Sequence, residues 1–211
     1  MNAGLPVGRT NVDVSLAILA GGRARRLGGI PKGLLVREGR PLLMHLLALG
    51  PLFADTFLVA SDAVPYRGLG VRSVPDAVPG RGAPGGVYTA LVQARTEWVV
   101  AVAADMPFVT SAVVERLLAE RSQTVDAAGF QVAGRLEPLL ALYRAASAPV
   151  WEAALSGNPS FPTVWQTLRT CVLPEEALAQ VDPGCRAVLS VNTPEEAQTL
   201  GIGLPSDDVW R

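Results

Sequence analysis

The chain has 211 residues, enough for one domain with a sizeable core or at most two small ones. Apolar residues make up 49% of it and charged residues 18%, a composition that argues against intrinsic disorder. With 18 Lys+Arg against 19 Asp+Glu the net charge is −1, so no global field favours nucleic acid or an anionic membrane and any anion site has to be local.

Cys171 and Cys185 form no CxxC pair and have no histidine cluster near them in sequence, which argues against zinc. A disulfide is not needed at this size, and a reducing compartment is expected. No basic stretch followed by an apolar run stands at the N-terminus, and no run approaches about 18 apolar residues. The expectation is therefore no signal peptide, no membrane span and a cytoplasmic location.

Residues 1–13 read as a loose leader. The β-prone run over 15–21 stops at glycines and reads as a buried strand. A glycine-rich loop follows, and Pro41 then opens a largely apolar helix. Strands are expected over 56–61 and 71–76. A second glycine/proline loop over 79–86 leads to a helix around 87–95. The run "WVVAVAAD" over 98–105 is the clearest buried strand, and Thr110 or Ser111 is placed to cap the helix after it. Strands alternate with helices up to about residue 121, which argues for an α/β fold: a mostly parallel central sheet flanked by helices on both faces.

The second half is less regular. "AAGFQVAG" and "EPLLALYR" read as two strands joined at Gly134, followed by helices around 148–156 and 161–170. The closing "AVLSVNTPEEAQTL" reads as a strand and then a helix, with Thr193 as N-cap, Pro194 at N1 and Glu196 at N3, the spacing of a capping box. No repeat and no linker separates domains.

The loop after the first strand carries the first chemical signal. Arg23, Arg25, Arg26 and Lys32 place four cations within ten residues of a strand end. Lys32 is the chain's only lysine. Paired glycines, Gly21–Gly22 and Gly28–Gly29, permit a backbone nest of N–H groups, and such a nest binds phosphate. The loop is not a Walker A sequence, because Gly33 stands where Ser or Thr would follow the lysine. An ammonium is a compact charge that can bridge several phosphoryl oxygens, whereas the planar guanidinium does so less freely. The second signal is Asp105, a carboxylate at the end of a buried strand. Open α/β sheets bind ligands at strand ends, and a carboxylate there can hold Mg²⁺ against a triphosphate.

The segment "LAGGRARRLGGIPKGLLVREGRPLLMH" resembles the N-terminal signature of the molybdenum cofactor guanylyltransferases, a group of Rossmann-like nucleotidyltransferases. The likeness continues in order through "GAPGGVYTAL", "ADMPF", "EPLLALY" and "VNTPEE". It implies one nucleotidyltransferase domain over 14–204, with a nucleotide-binding half of about 14–122 and an acceptor-binding half of about 123–204. It also implies transfer of GMP from GTP to molybdenum-bound molybdopterin, with Mg²⁺ as cofactor and transient contact with cofactor-delivery proteins or a molybdoenzyme.

Residue by residue, the resemblance puts Leu19, Ala20 and Gly21 against the guanosine, and Gly22, Arg26 and Lys32 at the phosphates. Asp76 falls on the base or ribose, Asp105 on metal and nucleotide, and Asn192 on the acceptor side. Two positions depart from the pattern: Pro31 stands before the lysine where aspartate is usual, and Ser190 where asparagine is usual. Proline before the lysine is commoner in cytidylyl-transferring relatives, whereas the Leu19–Gly22 run favours guanine. CTP or a sugar-phosphate acceptor is therefore an alternative, as is a non-catalytic nucleotide-binding chaperone for a molybdoenzyme. His45 reads as structural. Arg135, Glu137, Tyr143 and Arg144 receive no role, although the two arginines could meet an anionic pterin phosphate.

Overall fold

The computed structural model describes residues 11–21, 23–24, 29–158 and 160–205, the pair 23–24 by backbone alone. Its framework is a seven-stranded sheet. In chain order the strands are β1 (Asn11–Leu19), β2 (Phe53–Val59), β3 (Arg72–Val74), β4 (Trp98–Ala103), β5 (Ala127–Val132), β6 (Arg135–Arg144) and β7 (Thr170–Leu173). They lie in the order β7-β5-β6-β4-β1-β2-β3. β1 runs parallel to both β2 and β4, β2 to β3, and β5 to β7. Only β6 is antiparallel, to β4 and to β5.

Side chains of a strand alternate between its two faces, so this sheet has two cores. Val14, Leu16 and Ile18 of β1, with Val100 and Val102 of β4, face helices α1 (Leu42–Leu47), α3 (Ser111–Leu118) and α6 (Glu175–Ala179). Ala17, Val99, Ala101 and Tyr143 face α2 (Gly82–Gln93), α4 (Ala148–Leu155) and α5 (Phe161–Trp165). Helices cover both faces, as the alternation of elements requires. None of the described helices is long and apolar enough to cross a membrane.

The elements differ from the sequence reading where tertiary contacts outweigh local pattern. β1 begins at Asn11, within the expected leader, because Arg121 donates to Asp13 at 2.7 Å and to Asn11 at 3.2 Å. α2 begins at Gly82 and absorbs half of the second glycine loop. A Cβ on Gly85 would stand 2.7 Å from the Cβ of Arg81, so a side chain there would crowd the start of this helix, while Gly86 faces Leu19 at ordinary contact distance. The helix at 161 stops at Trp165, and Thr170–Leu173 turns into an edge strand beside β5. The expected closing strand is absent. Residues Arg186–Val188 form a single 3-10 turn, and Val191 reaches the sheet through one bond, donating to the carbonyl of Asp105 at 3.3 Å. The capping box on α7 (Pro194–Thr199) forms as expected, as do the Thr110 N-cap and the turn at Ala133–Gly134.

A small third core ties the late segment around 191–202 to residues 35–42. Leu35, Leu42, Val191, Ala197 and Ile202 bury one another. Ile202–Gly203 pairs with Val36–Arg37, which pairs in turn with Arg40–Pro41. Leu35, Leu42, Val191 and Ile202 each contribute about 1.5–3 kcal/mol on burial, enough to hold the segment around Val191–Ile202 against the loop that carries Lys32.

Gly129 in β5 lies under Trp165, whose Cη2 would stand 2.9 Å from an added Cβ, with Ala141 at 3.3 Å. Gly129→Val should therefore cost about 1–3 kcal/mol by overpacking. A lowered urea midpoint with an unchanged m-value would show it; a midpoint equal to the parent's would contradict this packing.

Candidate active site

Three parallel strands end level. Leu19, last in β1, stands opposite Val59 of β2 and Ala103 of β4. All three residues line one cavity of about 490 Å³. The chain passes from β1 and β4 to α1 and α3 on one face and from β3 to α2 on the other, and the crevice opens where these paths diverge. The ladder continues one residue further: Ala20 N donates to Val59 O at 2.8 Å, and Ala104 N to Leu19 O at 3.0 Å. These bonds fix the backbone from which Gly21 and Asp105 project. Tyr66, whose hydroxyl burial pushes up to about 12 with a further push from Asp62, donates to Ala20 O at 3.4 Å and so braces the turn from beneath.

Lys32 arrives from the other side of the glycine loop. Arg23–Ala24 pairs antiparallel with Ile30–Pro31, so the loop returns on itself. Pro31, at φ −57°, starts the single 3-10 turn Lys32–Leu34. A Cβ on Gly33 would stand 3.2 Å from that of Ala104, which is how closely this turn lies against the end of β4. The ammonium of Lys32 consequently meets Oδ2 of Asp105 at 2.6 Å and Oδ1 of Asn192 at 2.6 Å. The side chains of this ion pair are only 18% and 12% exposed, so the attraction is less screened than at a surface.

Asn192 is held in turn. Its Nδ2 donates to Ser190 Oγ at 3.0 Å, which turns the amide oxygen toward the lysine. The backbone N–H of Asn192 and that of Thr193 both donate to Glu196 in the capping box, at 2.6 and 3.1 Å. Both departures from the family pattern therefore have positions in this network: Pro31 sets the lysine turn, and Ser190 sets Asn192.

At the other end of the cavity Asp76 accepts from Ser61 Oγ at 2.6 Å. Thr89 accepts from Ala77 N at 3.0 Å and donates to Gly85 O at 2.8 Å, joining the segment after β3 to α2. Gly82 and Ala83 line the cavity, so the first turn of α2 opens onto it. The N–H groups of a first helical turn lack intrahelical partners and favour anions.

Leu19, Ala20, Gly21, Lys32, Asp76 and Asp105 thus share one cavity, and Asn192 joins them through Lys32. Gly22 and Arg26, expected at the phosphates, lie outside the described residues. Ser61 was missed by sequence reasoning, having no motif to mark it. His45 is structural, with Nε2 at 3.0 Å from the carbonyl of Arg37. Arg144 lies at the start of β4, opposite Trp98 and remote from the strand ends, where it donates to Glu97 and Gln123, each at 2.7 Å. It does not meet an acceptor phosphate at this cavity. Tyr143 is a core residue, fully buried between Trp151 and Trp165.

A divalent cation fits on one condition. Among the described residues no three His, Cys, Asp or Glu side chains gather to hold a metal alone. Asp105 offers one carboxylate to the cavity beside Lys32, and Mg²⁺ commonly takes one or two carboxylates with phosphate oxygens and water. The residues suit a metal that enters with a triphosphate.

A sheet of this topology, with a glycine turn, a lysine and a strand-end carboxylate over one cavity, defines a nucleotide-binding α/β domain of the nucleotidyl-transferring kind. The chain belongs to the family of MobA-like NTP transferase domains, whose model matches residues 16–171. It is 34% identical over 199 residues to the probable molybdenum cofactor guanylyltransferase of Chloroflexus aggregans, covering 91% of this chain and 95% of that protein. It is 32% identical to the molybdenum cofactor guanylyltransferase of Cupriavidus pinatubonensis, covering 90% and 98%. Among solved structures it resembles the molybdopterin-guanine dinucleotide biosynthesis protein A of Archaeoglobus fulgidus, with a TM-score of 0.77 at 28% identity over 89% of this chain and 96% of that one.

Glu137 of β6 is half-buried near Asp105. Burial pushes its carboxyl above the usual range; the Leu139 N–H opposes this and the charge of Asp105 adds to it. Folding thus favours the protonated form, and that contribution is present at low pH and lost as pH rises through the raised value. Glu137→Gln removes the titration. Its stability relative to the parent should rise as pH increases above the ordinary carboxylate range, read as the difference in urea midpoints, and a difference independent of pH would contradict the assignment.

Proposed function

We propose that this chain transfers GMP from GTP to molybdenum-bound molybdopterin, giving the guanine dinucleotide cofactor and pyrophosphate. A phosphate oxygen of the acceptor bonds to the α-phosphorus as the bond to the bridging oxygen of the leaving pyrophosphate breaks. The acceptor phosphate is already anionic near neutral pH, so no protein nucleophile or base is required. The work left to the protein is alignment and charge compensation.

The observation that carries this reading is the shared cavity in which Lys32, Asp105 and Asp76 stand at strand ends. Two of the three N–H donors of Lys32 go to Asp105 and Asn192, and the third can reach a phosphate oxygen. Asp105 and the triphosphate would hold Mg²⁺, which when bound neutralises phosphate charge. For the base, Asp76 offers a carboxylate to the N1–H and amino group of guanine, the donors that cytosine does not present together. Pro31, the residue that suggested cytidine, sets the lysine turn and is not among the residues lining the cavity, whereas Leu19 and Ala20 are. This favours GTP over CTP. The same proposal includes a cytoplasmic setting and transient contact with proteins that deliver the metal-loaded pterin or receive the product.

The test is pyrophosphate release from the purified chain with each of the four nucleoside triphosphates, Mg²⁺ and metal-loaded molybdopterin. Release with GTP alone is expected. Release with CTP instead, or GTP binding without release, would overturn the reading. Lys32→Arg keeps the charge but replaces the compact ammonium, so kcat/KM should fall by about 10²-fold while the chain stays folded. Parent-like turnover in that variant would remove Lys32 from the phosphate site.

A further inference from the structure

β6 departs from a regular strand at the point where it passes the active site. Against β5 it pairs Leu136 with Gln131 and then Ala141 with Gly129, so four residues, 137–140, lie opposite the single residue Phe130. Against β4 its pairing ends at Leu140 and Val102. Continuing that antiparallel count places Leu139 beside Ala103, both of which line the cavity, and Glu137 beside Asp105. Bulges of this kind re-aim side chains and are enriched beside active sites.

The bulge is fixed by the core. Pro138 within it has no N–H to offer a ladder, and its carbonyl accepts from the Tyr143 hydroxyl at 2.7 Å. Tyr143 also accepts from Trp165 Nε1 at 3.3 Å. A fully buried tyrosine is thus used to shape a solvent-reaching stretch of strand. What this presents is a half-buried carboxylate. Among the described residues Glu137 makes no ion pair; the hydrogen bond it receives comes from the Leu139 N–H, and the charge of Arg135 acts on it weakly, against that of Asp105. A carboxylate has about four acceptor positions, so most of its capacity is unspent.

Position decides which substrate it meets. Asp76 and Ser61 follow β3 and β2, on one side of Asp105, while β6 lies on the other side of β4. The base of the nucleotide belongs to the first side, and the second is left for the acceptor. We propose that Glu137 is an acceptor-binding residue whose carboxylate takes hydrogen bonds from N–H groups of the pterin, holding the acceptor phosphate toward Asp105. This rests on the guanylyl-transfer reading above.

The experiment compares the full chain with Glu137→Gln and Glu137→Ala. At saturating GTP the KM for metal-loaded molybdopterin should rise about tenfold or more, because a hydrogen bond to a charged group is lost. The Kd for GTP and the Mg²⁺ concentration giving half-maximal rate should stay at parent values, and Glu137→Gln should melt no lower than the parent. Equilibrium binding of molybdopterin without nucleotide reads the same contact without turnover and should weaken in parallel. An unchanged acceptor KM and binding constant would overturn the proposal, as would an effect on GTP or Mg²⁺ in their place. If the parent itself fails to turn over GTP, the transfer reading fails while the binding measurement still judges Glu137.

Discussion

The structure depends on one ammonium. Lys32 meets Asp105 and Asn192 at 2.6 Å each, and these three residues come from three distant parts of the chain: the glycine loop, the end of β4 and the approach to α7. No single element could create that meeting. It needs Gly33 to let the lysine turn lie against Ala104, and it needs the small core of Leu35, Leu42, Val191 and Ile202 to bring the late segment back. The ion pair is nearly buried, so removing either partner would leave a charge short of solvent, a loss of up to about 3–5 kcal/mol for a fully buried pair. Around it, level strand ends provide the crevice, which Asp76 and Asp105 both line.

Much of the sheet was legible because its inner strands are buried on both faces. "WVVAVA" and "LAIL" can hardly be anything else once they are bounded by glycine and aspartate. The capping box on α7 was equally legible, being a purely local device. The misreadings fall where neighbours decide. Gly82–Gly86 open a helix that composition alone reads as loop, and Gly85 leaves room for the Arg81 side chain at its start. Thr170–Leu173 is a strand because β5 offers an edge, and the stretch before Asn192 is not one because, among the described residues, it makes one backbone hydrogen bond toward the strand ends, Val191 to Asp105.

The site was legible in proportion to how far each residue's chemistry is marked by its surroundings. A lone lysine after paired glycines and an aspartate closing a buried strand stand out in one dimension, and the fold brings them into contact. Asn192 came from the resemblance, and its bond to Lys32 gives it a physical role. Ser190 and Pro31 looked like defects in a pattern; in three dimensions one orients Asn192 and the other starts the lysine turn. Ser61 carries no motif in one dimension, and its bond to Asp76 appears only in the fold; Glu137 has no role in the sequence, and its nearness to Asp105 appears only in the fold.

The central claim is that Lys32 and Asp105 act on one metal-bound triphosphate. The most direct measurement is a crystal structure of the chain with a non-reactive GTP analogue and Mn²⁺ in place of Mg²⁺, read by anomalous scattering. The account predicts a metal peak within about 2–2.3 Å of an Asp105 carboxylate oxygen and of phosphate oxygens, with the Lys32 ammonium within about 3 Å of the same triphosphate. A nucleotide seated away from these two side chains, or a metal held without Asp105, would contradict it.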